Sequence, residues 1–579
     1  MRTFLHSVQA AGAADLNTPI RCVWLKAYKR YKATKFRSEP LLKLIIQPPY
    51  PAAATQHTMA YLPDPPDARF IVVLGVAYLL YEILSGLRRA KTLPPGPTPL
   101  PLIGNLHQHP LREPWVQYSA WHKQFGPMVT LKLGARTVIV LGSHKAVHEL
   151  LTRRGKIYCS HPRLVFFGDC MTKSGFPALL PYSVQRRELH RLIVSVFTPV
   201  ACRAYAEVQE RESLRMVQGI LCAPRSGNLR HIWGYSVGVS STLIYGERMT
   251  AKQEAEVGDI QEMFEGIQNV LSAENVVLEL FPFLNLLPAP VNRWKKAGEK
   301  FRQHIIALWT RRIQRGLEND NWNWTRIMND NRPKGMTADQ FLFLIAELEL
   351  AASLSTSTLI RMFIATALKN PAATKRVQAE IDAVVGTDRL PTFADQESLP
   401  LLRGFITEMM RWKAILPLSM PYTGLEESEY MGYRIPTDAC IIANQWALNM
   451  DPEVYKDPET FSPERWVGNT ELPEPPVFGF GRRVCPGETF GKNSMFIAFA
   501  RMLWGFDICP PVEGEKGVVP NQAHTALALI ANWDTDTVRF VSRSEERARI
   551  IEGDFQSLMQ EDKALLDSAR RSVRLQLSS

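Results

Sequence analysis

With 579 residues, 46% of them hydrophobic and 22% charged, the chain has the composition of an ordinary folded protein, long enough for several average domains or one large core. Its formal charge of +11 suggests an acidic partner such as a nucleic acid, but residues 1–58 hold nine Lys/Arg against two acids, so +7 sits there and +4 remains for everything else; no nucleic-acid surface is expected. The eight cysteines are spread singly, without a Cys-x-x-Cys pair, which argues against a disulfide framework or a zinc site and points to a reducing compartment.

Residues 1–58, with "KAYKRYKATKFR", form a basic extension without a strong apolar period. Either it precedes a native start at Met59, or it is an arm that touches anionic lipid. From Phe70 to Leu87 the stretch "FIVVLGVAYLLYEILSGL" carries one acid, Glu82, and Arg88, Arg89 and Lys91 come directly after it. At ~1.5 Å per residue it reaches about 27 Å, close to a thin endoplasmic-reticulum bilayer. The basic flank keeps the C-terminal bulk of the chain in the cytosol. No small-residue cleavage site follows, so a single-pass transmembrane anchor is preferred over a signal peptide or a buried core helix. The proline-rich residues 88–106 are expected to be a stiff spacer, residues 107–544 the main domain, and residues 545–579 a charged tail with an amphipathic helix.

The main domain reads as mainly α with a small β subdomain, the β pattern being clearest in "MVTLKLGARTVIVLGS" from Met128. One helix can be bounded. Thr337-Ala-Asp-Gln340 is a capping box, the apolar run continues through Leu368, and Asn370-Pro371 stops it, so about thirty residues span ~45 Å. Pro371 opens the next helix and Gly386 ends it.

The stretch with the most chemistry is "FGFGRRVCPG", Phe478 to Gly487. Gly479, Gly481 and Gly487 permit tight turns and the close approach of a flat ligand. Arg482 and Arg483 bring permanent charge near Cys485, a setting that favours thiolate and suits a cofactor bearing carboxylates. The stretch resembles the heme-binding signature of cytochrome P-450 enzymes, Phe-x-x-Gly-x-Arg-x-Cys-x-Gly, at every fixed position. "EMMR" (Glu408 to Arg411) matches the family's Glu-x-x-Arg, "FSPERW" (Phe461 to Trp466) its Pro-Glu-Arg segment, and residues 430–466 agree with it nearly throughout. The resemblance covers about Pro94 to Ser544 and has the character of the fungal secondary-metabolism branch.

The resemblance implies the cytochrome P-450 fold and heme b, with Cys485 as axial thiolate, Phe478 beside the sulfur and Gly481 in the loop. Arg483, Arg186, His190 and Tyr422 would contact the heme, and Glu408, Arg411 and Arg465 would form a buried charge network. It implies a microsomal monooxygenase on the endoplasmic-reticulum membrane that inserts one atom of O2 into a hydrophobic small molecule, with electrons from NADPH through a reductase. The oxygen-groove pattern falls on "AASLST", Ala351 to Thr356, where Ser355 and Thr356 would be the catalytic hydroxyls and Leu354 replaces the usual acid. Glu347 is expected to be an ordinary polar-face glutamate, with a water-mediated role in proton delivery as the alternative. Leu354 keeps open an isomerase or dehydratase that needs no external electrons, and a non-catalytic heme-binding protein is a third reading. Aliphatic segments from Ala414, Glu274 and Ala523 would line the pocket or its membrane entrance.

Overall fold

The structure, a computed structural model, describes residues 92–558 apart from 111, 174, 224–227, 248–257, 261–262, 264–272, 289–291, 512–521, 524–531 and 534–537. The basic extension 1–58, the anchor 70–87, residues 559–579 and most of the segment from Ala523 lie outside the described residues. The principal helices are α1 (Pro114–Phe125), α2 (Val184–Val196), α3 (Ala206–Cys222), α4 (Asn228–Tyr245), α5 (Arg293–Glu318), α6 (Ala338–Lys369), α7 (Pro371–Val385), α8 (Pro400–Trp412), α9 (Glu488–Gly505) and α10 (Glu545–Leu558). The sheets are small: β1 (Met128–Leu133) pairs antiparallel with β2 (Arg136–Leu141), and β2 pairs parallel with β5 (Cys440–Ala443). A hairpin joins β3 (Ser428–Tyr430) to β4 (Tyr433–Ile435). The mainly helical reading with minor β structure holds for these residues.

The capping box is formed: Thr337 Oγ1 accepts the Gln340 N–H at 3.2 Å and Gln340 Oε1 accepts the Thr337 N–H at 2.9 Å. The 32-residue α6 behind it is long and apolar enough to cross a membrane, yet 72% of its most apolar window is buried by protein, which makes it a core helix. It packs along α4, α5 and α9. Ser240 and Ser353 meet at 2.8 Å between α4 and α6, and Phe363 stacks on Phe499 of α9 at 3.8 Å between centroids. α7 starts at Pro371 and ends at Gly386, whose φ is +77°.

Two expected boundaries move. The described part of the spacer, from Thr92, is bound to the sheet: the Thr130 N–H donates to Pro95 O, Asn105 Oδ1 accepts the Lys132 N–H at 2.7 Å, and a Cβ on Gly96 would stand 2.0 Å from Thr130 O. The prolines remove donors, but Asn105 and the remaining carbonyls complete the edge of β1. The tail also begins later than residue 545. Ile551 of α10 is fully buried, and the buried Arg547 donates to Trp504 O and to Asp382 at 2.9 and 2.8 Å, so α10 belongs to the domain.

Candidate active site

The loop before α9 is shaped by two left-handed glycines, Gly479 (φ +86°) and Gly481 (φ +55°). At Gly481 a Cβ would lie 2.2 Å from Leu151 O, so the position requires glycine for packing as well as conformation. Gly481 itself does not line the cavity below. The Cys485 N–H donates to Phe478 O at 2.8 Å, closing the loop and bringing Phe478 and Cys485 onto one wall. Gly487 caps α9, and its N–H approaches the sulfur from the positive end of that helix.

Cys485, Phe478, Arg483, Arg186, His190, Tyr422, Ser355 and Thr356 all line one cavity of about 370 Å³. The surface that Cys485 exposes opens onto it. Burial raises the Cys485 thiol above its ordinary range, with the Gly487 N–H pulling the other way and the Glu488 charge adding to the rise. The expected thiolate bias from Arg482 and Arg483 is therefore absent. Arg483 turns from the sulfur: its Nε donates to Cys159 O at 2.6 Å and one terminal nitrogen to Leu180 O at 2.9 Å. A metal bound at this sulfur would ionise it.

Heme fits these residues. The other terminal nitrogen of Arg483 and Nε of Arg186 are buried without a hydrogen-bond partner, so two guanidinium groups present donors that ask for acceptors. Burial and repulsion from Arg186 pull Arg483 down to about 10, the mark of two clustered cations that an anion would relieve. Arg186 and His190 sit one turn apart on α2, whose first turn is capped by Ser183 Oγ accepting the Arg186 N–H. Burial holds His190 near 4, followed by the charges of Arg186 and Arg483, so it stays neutral at physiological pH. The Tyr422 hydroxyl accepts the Phe480 N–H at 3.2 Å, leaving its own proton to donate.

On the α6 wall Glu347, Ala351, Ser355 and Leu359 recur every fourth residue and share a face. Ser355 Oγ donates to Ala351 O at 2.7 Å, one turn back. Leu354, at the position of the missing acid, packs on the hydrophobic core and does not line the cavity. Glu347 is not a polar-face residue, since it too lines the cavity, and among the described residues its oxygens accept only the Ala178 N–H, at 2.9 and 3.2 Å. Burial pushes its carboxyl up to about 8, with the Ala178 N–H, Arg186 and Arg483 opposing the rise. A single glutamate in an apolar run gave no signal of which side it faces.

Glu408 and Arg411 of α8 are fully buried and joined by two hydrogen bonds of 2.8 and 2.7 Å. Glu408 also accepts from Ser462 N–H and Trp466 Nε1 and lies 3.5 Å from Arg465 Nε, so all three expected members meet. The link to the cysteine loop runs through Tyr455, whose ring lies under Arg411 and whose hydroxyl donates to Pro473 O at 2.7 Å. Gln445 adds a bond to Pro476 O.

His161 joins the site without any signal in the sequence around it. It lines the cavity with Nδ1 2.6 Å from Pro421 O, and burial brings it to about 4. Of the expected pocket segments, that from Ala414 supplies Ile415, Leu416 and Met420, whereas Phe283 and Leu286, in the segment from Glu274, are exposed on the surface.

A family model described as Cytochrome P450 matches residues 94–530. Among curated relatives, the cytochrome P450 monooxygenase aneD of Aspergillus aculeatus is 37% identical over 450 residues, covering 77% of this chain and 87% of the relative. The cytochrome P450 monooxygenase peniB of Penicillium patulum is 33% identical over 502 residues, with 86% and 94% covered. Fumitremorgin C synthase of Aspergillus fumigatus is 32% identical over 529 residues, with 85% and 97% covered. With the family signature on a cavity-lining cysteine, and with relatives matched along most of both chains, the protein belongs to the cytochrome P450 family and is a heme-thiolate monooxygenase.

Proposed function

We propose that this monooxygenase inserts one oxygen atom from O2 into a hydrophobic small molecule of fungal secondary metabolism, using NADPH through a membrane flavoprotein reductase. The observation that carries the reading is one cavity that holds the Cys485 sulfur and the partnerless guanidinium atoms of Arg186 and Arg483 beside an aliphatic wall. Heme held there would supply oxygen activation, and a thiolate ligand would favour O–O cleavage. The chain's own groups do the rest. Cys485 would provide the sulfur ligand and Phe478 would shield it, while Arg483, Arg186, His190 and Tyr422 would hold the carboxylate edge. Ile415, Leu416, Leu348 and Leu359 exclude water around an apolar substrate.

Ser355 donates to Ala351 O, so its lone pairs remain to accept from a water at the oxygen side, with Thr356 beside it. Leu354 cannot relay a proton.

The expected anchor at 70–87 and an endoplasmic-reticulum location with the catalytic domain cytosolic are part of the proposal. An apolar surface supports membrane contact: Phe283 and Leu286 are 61% and 85% exposed, and Leu102 and Ile103 are exposed as well. Both segments meet the β1–β2 turn, where Ala135 N–H donates to Leu280 O and Gly134 N–H to Ile103 O. Such a patch suits a lipid surface.

The test is the carbon monoxide difference spectrum of the reduced, membrane-expressed protein beside Cys485→Ala. A thiolate-type Soret shift in the wild type alone is expected. Identical spectra would remove the assignment of Cys485.

A further inference from the structure

We propose that Glu347 is a substrate anchor, and that the molecule oxidised carries a basic nitrogen which this carboxylate holds as a cation inside the cavity. The inference rests on the heme-thiolate reading, because carboxylates on Arg186 and Arg483 are part of it.

A carboxylate offers about four acceptor positions, and Glu347 fills its own with one backbone N–H shared between two oxygens. The cations that act on it are Arg186, from α2, and Arg483, from the cysteine loop. The unpartnered donors of those two arginines would be taken up by the carboxylate edge of heme, which would leave Glu347 without a countercharge. Among the described residues no other cavity group supplies one. Burial brings His161 and His190 down to about 4, and neither a phenol nor a thiol carries positive charge in any protonation state. Pro177, Leu348 and Ala351 line the same cavity. A buried acid whose neighbouring cations are engaged elsewhere is at once a site with spare acceptors and a group whose charged form lacks stabilisation. A ligand cation satisfies both.

The same face fixes the direction of the ligand. Glu347 lies eight residues before Ser355 on α6, about 12 Å along the axis. A substrate held at Glu347 therefore presents to the Ser355 end a carbon remote from its nitrogen.

The experiment uses the holoprotein after its thiolate spectrum has been recorded. Binding of a phenylalkyl-trimethylammonium ion is compared by calorimetry with that of the uncharged tert-butyl isostere, from about pH 6 to about pH 9. The quaternary nitrogen has no lone pair, so it cannot ligate iron. The wild type is expected to prefer the cation by roughly tenfold or more at the alkaline end, with the preference fading toward acid as Glu347 takes up its proton. Glu347→Gln keeps an acceptor for the Ala178 N–H, and is expected to retain the thiolate spectrum and the affinity for the neutral probe while losing both the preference and its pH dependence. Equal binding of the two probes, binding of neither, or a preference that survives Glu347→Gln overturns the proposal and leaves the heme-thiolate reading standing. Absence of the thiolate spectrum overturns both.

Discussion

Glu347 and Glu349 stand two residues apart on α6, about 200° apart around its axis, and their surroundings differ completely. Glu349 is fully buried and saturated: Tyr245 and Trp309 donate to it at 2.7 and 3.0 Å, Ser241 at 3.2 Å, and Arg312 forms a buried ion pair with it. Arg312 also lies over the Tyr245 ring at 4.9 Å. That cluster ties α4 and α5 to α6. Glu347 faces the cavity with one backbone donor. A carboxylate whose acceptors are all filled holds helices together, whereas one with acceptors to spare is available to a ligand.

The comparison can be broken most severely at Arg312. Arg312→Met leaves the Glu349 carboxylate buried without its cation, which should cost about 3–5 kcal/mol or prevent folding. The midpoint of chemical unfolding measures it, and Arg312→Met/Glu349→Leu should recover most of the loss.

Removing charge on the other side should act on the cofactor. Arg483→Leu deletes a donor that faces the cavity, so heme retained per polypeptide after gel filtration should fall several-fold. An unchanged heme content would show that the guanidinium serves only Cys159 O and Leu180 O.

An acid at the vacant position tests how far the α6 faces are separate. Leu354 packs on the core, so Leu354→Asp should destabilise by about 1–3 kcal/mol and leave the ratio of product to NADPH consumed unchanged. A higher ratio would mean that residue 354 reaches the oxygen side after all.

A pH series separates the two glutamates. The Glu347 carboxyl is raised from 4.5 to about 8, so the folded state binds its proton more tightly than the unfolded state does. This contribution is fully present below about pH 4.5 and is lost as pH rises toward 8. Glu347→Gln should therefore gain stability relative to the wild type as pH increases over that span. A difference independent of pH would contradict the burial of this carboxyl.

The smallest expected change in stability is that of Ser355→Ala, within about 0.5 kcal/mol, because its hydroxyl bonds only the carbonyl one turn back. Product formed per NADPH should nevertheless drop. Stability and coupling both unchanged would leave Thr356 as the hydroxyl that matters.

The sequence by itself determined what depends on neighbours along the chain. The capping box and Asn370-Pro371 bounded α6 because both act within one turn, and the glycines around Cys485 marked its loop because positive φ is a local demand. The spacing of "FGFGRRVCPG", "EMMR" and "FSPERW" named the family and the members of the buried network. Tertiary structure alone decided which face of each helix met what. α6 is apolar almost all round, so no periodicity distinguished the cavity side, at Glu347, from the core side, at Glu349 and Leu354. The bond from Ala178 to Glu347 spans 169 residues and that from Arg312 to Glu349 spans 37. Side-chain charge is set by such distant partners and by burial, and neither is written in a local pattern.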